Sequence, residues 1–440
     1  MIEISWLVRM SETVLAVPFV VILLVGIYLT IKTKFIQIRM IPHMIRLFIN
    51  ALRAGKSTMV SGSLLPHKAL FAAMSTTIGI GNIVGPAVAV RLGGPGALVG
   101  FLMAIFFGAA TTYAEVAYGM LYRKKNADGS YSGGPMYYIQ AALGNSVALI
   151  YAFAGALLLA VWCSNQSNTL ADVLVSYSIP KYSTGLFVAS IVVTYLILGV
   201  RYIGNLTDKI VPVMFFLYCG AALWVIGCNA SLLPSIFVLI VKSAFSLEAT
   251  SGAAVGLAIQ RMLRWGLAKG TQACEAGIGT ATILHSQAEG NSPAAQAVLS
   301  MISAYSVAFV CTLSALVTLV SGTWNDASVS LGIAMIAQPL AHYFVGGKLV
   351  LALSAFLFGF GTILGNAYNG SKCFGYLTNN VTWLLYGYYA VIALVVFFGA
   401  VLDPQFVWTI SDFFIIPVAL PNILGIMCLV YRDATVLKND

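Results

Sequence analysis

The chain has 440 residues, of which 60% are hydrophobic, 12% aromatic and only 8% charged. Soluble domains carry about 25% charged residues, so a soluble globular class is excluded and an all-α polytopic membrane protein is indicated. The net charge of +9 would imply nucleic acid only if the basic residues clustered on a soluble face. They punctuate the apolar segments instead, so a lipid bilayer and no nucleic acid is the expected surrounding.

A crossing helix needs roughly 20 mostly apolar residues. In chain order, spans are predicted near 13–31, 68–90, 96–121, 146–171, 184–200, 207–228, 269–287, 294–321, 347–371, 381–401 and 410–431, about eleven in all. The first is followed by Lys32 and Lys34 without a small-residue cleavage site, and reads as a retained helix rather than a removed signal peptide. Shorter amphipathic pieces, Ile36–Leu52, Leu233–Phe245 and Ala327–Tyr343, read as interfacial or gate helices. The seven cysteines (Cys163, Cys219, Cys228, Cys274, Cys311, Cys373, Cys428) fall in apolar segments without CxxC spacing, so neither a disulfide framework nor a zinc site is expected.

With the N-terminus outside, fifteen of the 23 Lys and Arg fall in inside loops, including Lys56 and Lys438, and the C-terminus is cytoplasmic. That excess obeys the positive-inside rule. Arg261, Arg264 and Lys269 fit it less well, and read as solvated face charges or as gate residues.

Two spans carry nearly the same word: Ser75-Thr76-Thr77-Ile78-Gly79-Ile80-Gly81-Asn82 and Cys274-Glu275-Ala276-Gly277-Ile278-Gly279-Thr280. Glycine costs a helix about 1 kcal/mol relative to alanine, and backbone groups freed in lipid need partners inside the protein. Glycine-broken membrane helices at matching positions of two halves point to the midplane site of a secondary transporter. Without the first helix, ten spans divide five plus five, each set opening on a broken helix; because five is odd, the repeats are inverted. The expected organisation is one transport domain over 1–440: residues 13–56 an extra helix and amphipathic linker, 68–228 the first repeat and 229–431 the second.

An unwound segment exposes amides on one side, which favour a carboxylate, and carbonyls on the other, which favour a hard cation. Backbone carbonyls of Ser75 and Ile78 with a hydroxyl from elsewhere suit sodium, and Asn82 adds an amide. Thr362 either supplies that hydroxyl or bonds back to its own helix. Glycine-mediated close packing is the competing reading. Glu275 either caps freed amides, pairs with a polar partner or carries a proton; the cost of an intramembrane charge requires one of these. Glu115, near Thr111, Thr112 and Tyr113, reads as a hydrogen-bonded packing residue, and His285 as a packed or capping histidine. Trp162-Cys163-Ser164-Asn165-Gln166-Ser167-Asn168 fits a wet cavity wall.

Ser75–Gly100, Ser132-Gly133-Gly134-Pro135-Met136-Tyr137-Tyr138-Ile139, Gln166-Ser167-Asn168, Glu275-Ala276-Gly277-Ile278-Gly279 and Thr362-Ile363-Leu364-Gly365 together resemble the alanine or glycine:cation symporters. The resemblance implies a leucine-transporter-like fold that imports a small neutral amino acid with sodium, in a bacterial inner membrane, with no resident cofactor; the alternative is a proton-coupled or differently selective amino-acid transporter, with a larger polar amino acid in the Asn366 pocket. By similarity, substrate contacts fall on Thr77, Gly79, Gly81 and Gln166 and on the second break (Ala273, Cys274, Gly277), with Asn82 and Asn366 completing the pocket. Sodium falls between Ser75, Ile78 and Thr362. Departures lie in that pocket: Gln272-Ala273-Cys274 stands where the family usually has Phe-Ser-Asn, Asn366 where it has Trp, and Gly361 where a second hydroxyl is usual. A roomier, wetter pocket and weaker sodium binding are the expected consequences. No HExxH, paired intramembrane aspartates or serine–histidine arrangement supports an enzyme.

Overall fold

The computed structural model describes residues 18–53, 63–126, 129–245 and 262–437. Lys56, Arg261 and Lys438, the side chain of Arg264, and the start of the first expected span lie outside the described residues.

The chain is nearly all helix, as expected where every backbone group must be satisfied within its own segment. Helix α1 (Pro18–Lys32) leads through a short elbow, α2 (Ile36–Arg39) and α3 (Ile41–Arg53), into the first broken span, α4 (Pro66–Thr77) and α5 (Ile80–Gly93). Then follow α6 (Ala97–Leu121), a two-stranded hairpin of β1 (Lys124–Lys125) and β2 (Tyr131–Ser132), the short α7 (Pro135–Leu143), and α8 (Asn145–Val175), α9 (Lys181–Leu198) and α10 (Val200–Cys228). The second half runs through α11 (Leu233–Ala244), a π-helical turn (Met262–Leu267), α12 (Ala268–Cys274), α13 (Ala281–His285), α14 (Pro293–Ser321), α15 (Ala334–Tyr343), α16 (Gly347–Leu377), α17 (Thr382–Val401) and α18 (Pro404–Arg432).

Local chemistry sets several boundaries. Pro293 and Pro404 sit in first turns, where a missing N–H costs nothing. Ser292 and Asp403 cap those turns by accepting from Ala295 N–H (3.2 Å) and Phe406 N–H (3.1 Å), the usual N-cap role.

Among the described residues, eight helices are long and apolar enough to cross a membrane, nine with the bent pair α4/α5 taken as one span. The other two expected spans fall on α1, which is shorter, and on 268–285, which is two short helices rather than one. The interfacial piece expected at Ala327–Tyr343 is helical only from Ala334.

The most extensive contacts run between α8 and α16, α6 and α14, and α9 and α17. Each couples a span with its counterpart five spans later, and α10 on α16 is matched by α18 on α8. Helices α6 and α16 are mostly buried whereas α9 and α17 mostly face outward, so the first two form the centre of the bundle. Small residues let the backbones meet there. A Cβ at Gly266 would lie 2.4 Å from Ala97 O, and one at Gly270 would lie 2.5 Å from Phe101 O. These two glycines seat the approach to the second break directly on α6. All seven cysteines are free thiols.

Candidate functional site

The first span bends by 43° where α4 ends and α5 begins. Gly79 at the break is extended (φ −104°, ψ −176°), so backbone strain does not require glycine there. Space does: a Cβ would stand 2.8 Å from Thr362 Oγ1 and 3.1 Å from Gln166 Oε1. Gln166 Oε1 accepts from Ile80 N–H at 3.1 Å, satisfying one of the amides that open α5. Thr362 Oγ1 donates to Ser75 O at 2.8 Å, so its hydroxyl reaches across to α4 rather than back along its own helix. The hydroxyls of Ser75, Thr76 and Thr77 bond carbonyls within α4, those of Ala72 (2.7 Å) and Ala73 (2.7 and 3.1 Å).

The second break is built differently. Glu275, Gly277 and Gly279 all have positive φ (53°, 83° and 84°), a conformation that glycine adopts freely and other residues avoid. The backbone so opened is tied from every side. The N–H groups of Gly277 and Gly279 lie near the Glu115 carboxyl on α6, and Asn422 Nδ2 donates to Glu115 Oε1 at 2.7 Å. Tyr151 donates its hydroxyl to Ile278 O (2.7 Å), and Asn369 Nδ2 donates to Thr280 O (3.3 Å). Glu115, expected as a hydrogen-bonded packing residue, is bonded by Asn422 and packs beside the break. Glu275 accepts instead from the Thr280 hydroxyl, the polar partner among its expected alternatives. His285 is buried, its Nδ1 paired with Gln296 Nε2 at 2.8 Å, as expected of a packed histidine.

Asn82 links the two breaks, donating to Thr77 O (2.9 Å) and Ala273 O (3.5 Å). Around this junction lies a cavity of about 630 Å³. Thr77, Gly79, Gly81, Asn82, Gln166, Ala273, Glu275, Thr362 and Asn366 line it. The structure thus gathers nine of the thirteen residues singled out in the sequence. Ser75 and Ile78 are buried behind the first break, with Ser75 reaching the cavity wall through Thr362. Cys274 and Gly277 stand apart: Cys274 Sγ donates to Thr271 O (3.7 Å) beside Gly108, and Gly277 packs on Ile22 of α1. Cys274 ends α12 just before the left-handed turn at Glu275, and Gly277 lies two residues past it against α1.

The cavity opens at one end of the bundle, past Asp172, Lys269, Gln272, Trp408 and residues 330–334. Lys269 Nζ donates to Gln272 Oε1 (3.1 Å), whose Nε2 donates to Asp412 Oδ1 (3.3 Å). Lys269 therefore stands at the mouth of the cavity. Beyond it, Arg91 donates to Thr323 O (3.0 Å) and Asp326 O (2.7 Å), and hydrogen bonds from Ser328 hold the exposed Asp326 carboxyl below its ordinary pKa.

The opposite end is closed. Leu64 N–H donates to Gln287 O and Glu289 N–H to Leu64 O, both at 2.9 Å. Ser63 donates to Glu289 (2.5 Å), and Arg123 donates to Ser286 O (2.9 Å) and Ala288 O (2.5 Å) while stacking 3.7 Å over the Tyr131 ring. Asp412, Trp408 and Asn422, all on α18, were missed in the sequence, although a carboxylate and a carboxamide inside an apolar span are themselves a signal. Among the described residues no cluster of His, Cys, Asp or Glu could hold a metal ion. At the first break a neutral carbonyl, Ser75 O, meets the Thr362 hydroxyl, and oxygens of this kind suit a hard cation.

A relative from Methanococcus maripaludis, the sodium/alanine symporter AgcS, is 33% identical over 94% of this chain and 92% of its own. A Bacillus subtilis protein named as a probable sodium/glutamine symporter, GlnT, is 32% identical over 96% of this chain and 87% of its own. A solved Na⁺-coupled sialic acid symporter in a substrate-bound outward-open state matches at TM-score 0.55 and 12% identity, covering 94% of this chain and 84% of that one. Such a likeness carries the fold, a leucine-transporter-like helical bundle. The sodium:alanine symporter family matches residues 1–439, a family of transporters rather than enzymes, and with two broken helices meeting at one cavity the chain belongs to it.

Proposed function

We propose that the protein imports a small neutral amino acid, of the alanine or glycine kind, together with sodium by alternating access. The observation that carries this reading is the meeting of both broken helices, through Asn82, at a cavity open at one end and closed at the other. The start of α5, with its positive dipole end and the Gln166 cap, suits the substrate carboxylate. The carbonyl ends of α4 and α12, at Thr77 and Ala273, suit the ammonium. In this reading sodium sits among Ser75 O, Ile78 O and Thr362 Oγ1. In this reading residues 68–228 and 229–431 are the two repeats that rock against each other.

The mouth lies on the side that the positive-inside reading makes external, so the conformation is outward-facing. The N-terminus is then outside, the C-terminus cytoplasmic, and the membrane a bacterial inner membrane. In proteoliposomes, uptake of radiolabelled alanine is expected to require an inward sodium gradient; uptake unchanged when choline replaces sodium would refute the coupling.

One observation favours a second reading, proton coupling: Glu275 lines the cavity and its carboxyl is bonded by the neutral Thr280 hydroxyl. A Glu275→Gln protein whose uptake keeps its normal pH dependence would count against it.

A further inference from the structure

We propose that α2 and α3 form a docking surface for anionic phospholipid headgroups, in the membrane leaflet at the closed end of the cavity. Neither the cargo nor the coupling ion enters into it.

Helix α3 has 13 residues, well short of the roughly 20 that cross a bilayer, and its sides differ in chemistry. With about 3.6 residues per turn, Ile41, Ile45, Ile49 and Leu52 form one stripe, and His43, Arg46, Asn50 and Arg53 form another. Both stripes are exposed. Met44 and Ala51, on a third side, are buried against the bundle. An open apolar stripe beside an open basic one suits a helix lying in the headgroup plane, its apolar side among the acyl chains. Charge on this surface has one sign. Between Glu12 and Glu115 the chain has no acidic residue, whereas Lys32, Lys34, Arg39, Arg46 and Arg53 are all exposed. Among the described residues none of these five enters an ion pair. Cations clustered just after a membrane span, or along an amphipathic helix, attract anionic lipid. Arginine in addition grips phosphate oxygens in pairs.

The surface is fixed before any lipid arrives. Lys34 and Phe35 turn the chain at the elbow with positive φ (53° and 55°). Gln37 Nε2 donates to Thr30 Oγ1 at 2.8 Å, and the Tyr305 hydroxyl of α14 donates to Gln37 O. Helix α3 packs on α14 and α4, where Phe48 meets the Phe71 ring edge-on at 6.0 Å. Helix α4 begins at Pro66, two residues past the Leu64 that closes the cavity. A headgroup held on the basic stripe therefore sits beside the start of the first broken span.

The test is equilibrium binding of phosphatidylglycerol and phosphatidylcholine, labelled on the acyl chain, to the purified full chain in a neutral detergent. Phosphatidylglycerol is expected to bind at least about tenfold more tightly. Arg46→Gln with Arg53→Gln is expected to lower that preference at least about tenfold, and Arg46→Lys with Arg53→Lys to keep it. Arg201→Gln with Lys348→Gln, which neutralises exposed cations on α10 and α16, is expected to leave it unchanged. Should the Arg46 and Arg53 variants fail to fold, the wild-type preference decides, since it is expected to shrink as salt rises from about 0.1 M to about 1 M. Equal binding of the two lipids, a preference indifferent to salt, or an equal loss in the Arg201 and Lys348 variant would overturn the inference. Displacement of the lipid by inorganic phosphate at matching concentration would overturn it too, by showing a site for free phosphate.

Discussion

Two glycines near the first break have opposite consequences, and the difference lies in what stands in front of each. At Gly79 a Cβ would meet Thr362 Oγ1 at 2.8 Å, displacing the hydroxyl that bonds Ser75 O. Gly79→Ala is therefore expected to weaken sodium-dependent uptake at least about tenfold, since losing a hydrogen bond to a placed oxygen costs about 1–3 kcal/mol. At Gly361 a Cβ would meet Ser75 Cβ at 3.5 Å and Ser75 O at 4.0 Å, ordinary contact distances. Gly361→Ser would fit and place a second hydroxyl beside the proposed sodium oxygens. A lowered sodium concentration for half-maximal uptake is the expected result, and an unchanged one would argue that sodium binds elsewhere. The sequence showed Gly361 as a departure from the family pattern; only the packing shows that the missing hydroxyl could be restored.

At the scale of the element, the two broken helices looked alike in sequence and are held by different means. The first needs glycine for room and is closed by side chains from α8 and α16, Gln166 and Thr362. The second needs glycine for its left-handed backbone and is pinned by Tyr151 and Asn369, with the bonded pair Glu115 and Asn422 packed beside it. Glu115→Leu would leave the buried Asn422 amide without its acceptor, a loss on the order of 3 kcal/mol. Thermal unfolding in detergent should show a clear drop for Glu115→Leu and a smaller one for Glu115→Gln, which keeps one acceptor oxygen. Equal stability of Glu115→Leu and wild type would mean that the break is held by Tyr151 and Asn369 alone. Repetition of Gly-Ile-Gly marked both breaks in the sequence. The residues that pin the second lie far along the chain on other helices, where no local pattern could connect them.

For the whole molecule, the question is which end of the cavity is open. Arg123 bonds two carbonyls and stacks on Tyr131 at the closed end, and hydrogen bonds to a charged group contribute about 1.5–3 kcal/mol each. Every 1.4 kcal/mol shifts a two-state balance tenfold, so Arg123→Ala is expected to populate the alternate, inward-open state. A cysteine placed at Leu64, on an otherwise cysteine-free background, should then react with a membrane-impermeant thiol reagent at least about tenfold faster from the cytoplasmic side. Equal rates with Arg123 present or absent would show that this closure does not control access. Apolar segments, their basic flanks and the matched glycine words were enough to give the membrane class, the broken spans and the transporter reading. These follow from local rules of length, charge and backbone cost. Tertiary structure alone decided that Asn422 of α18 bonds Glu115 beside the second break, that Cys274 and Gly277 lie apart from the pocket, and that Thr362 reaches across to Ser75. Each depends on contacts between residues distant in sequence, which no spacing along the chain encodes.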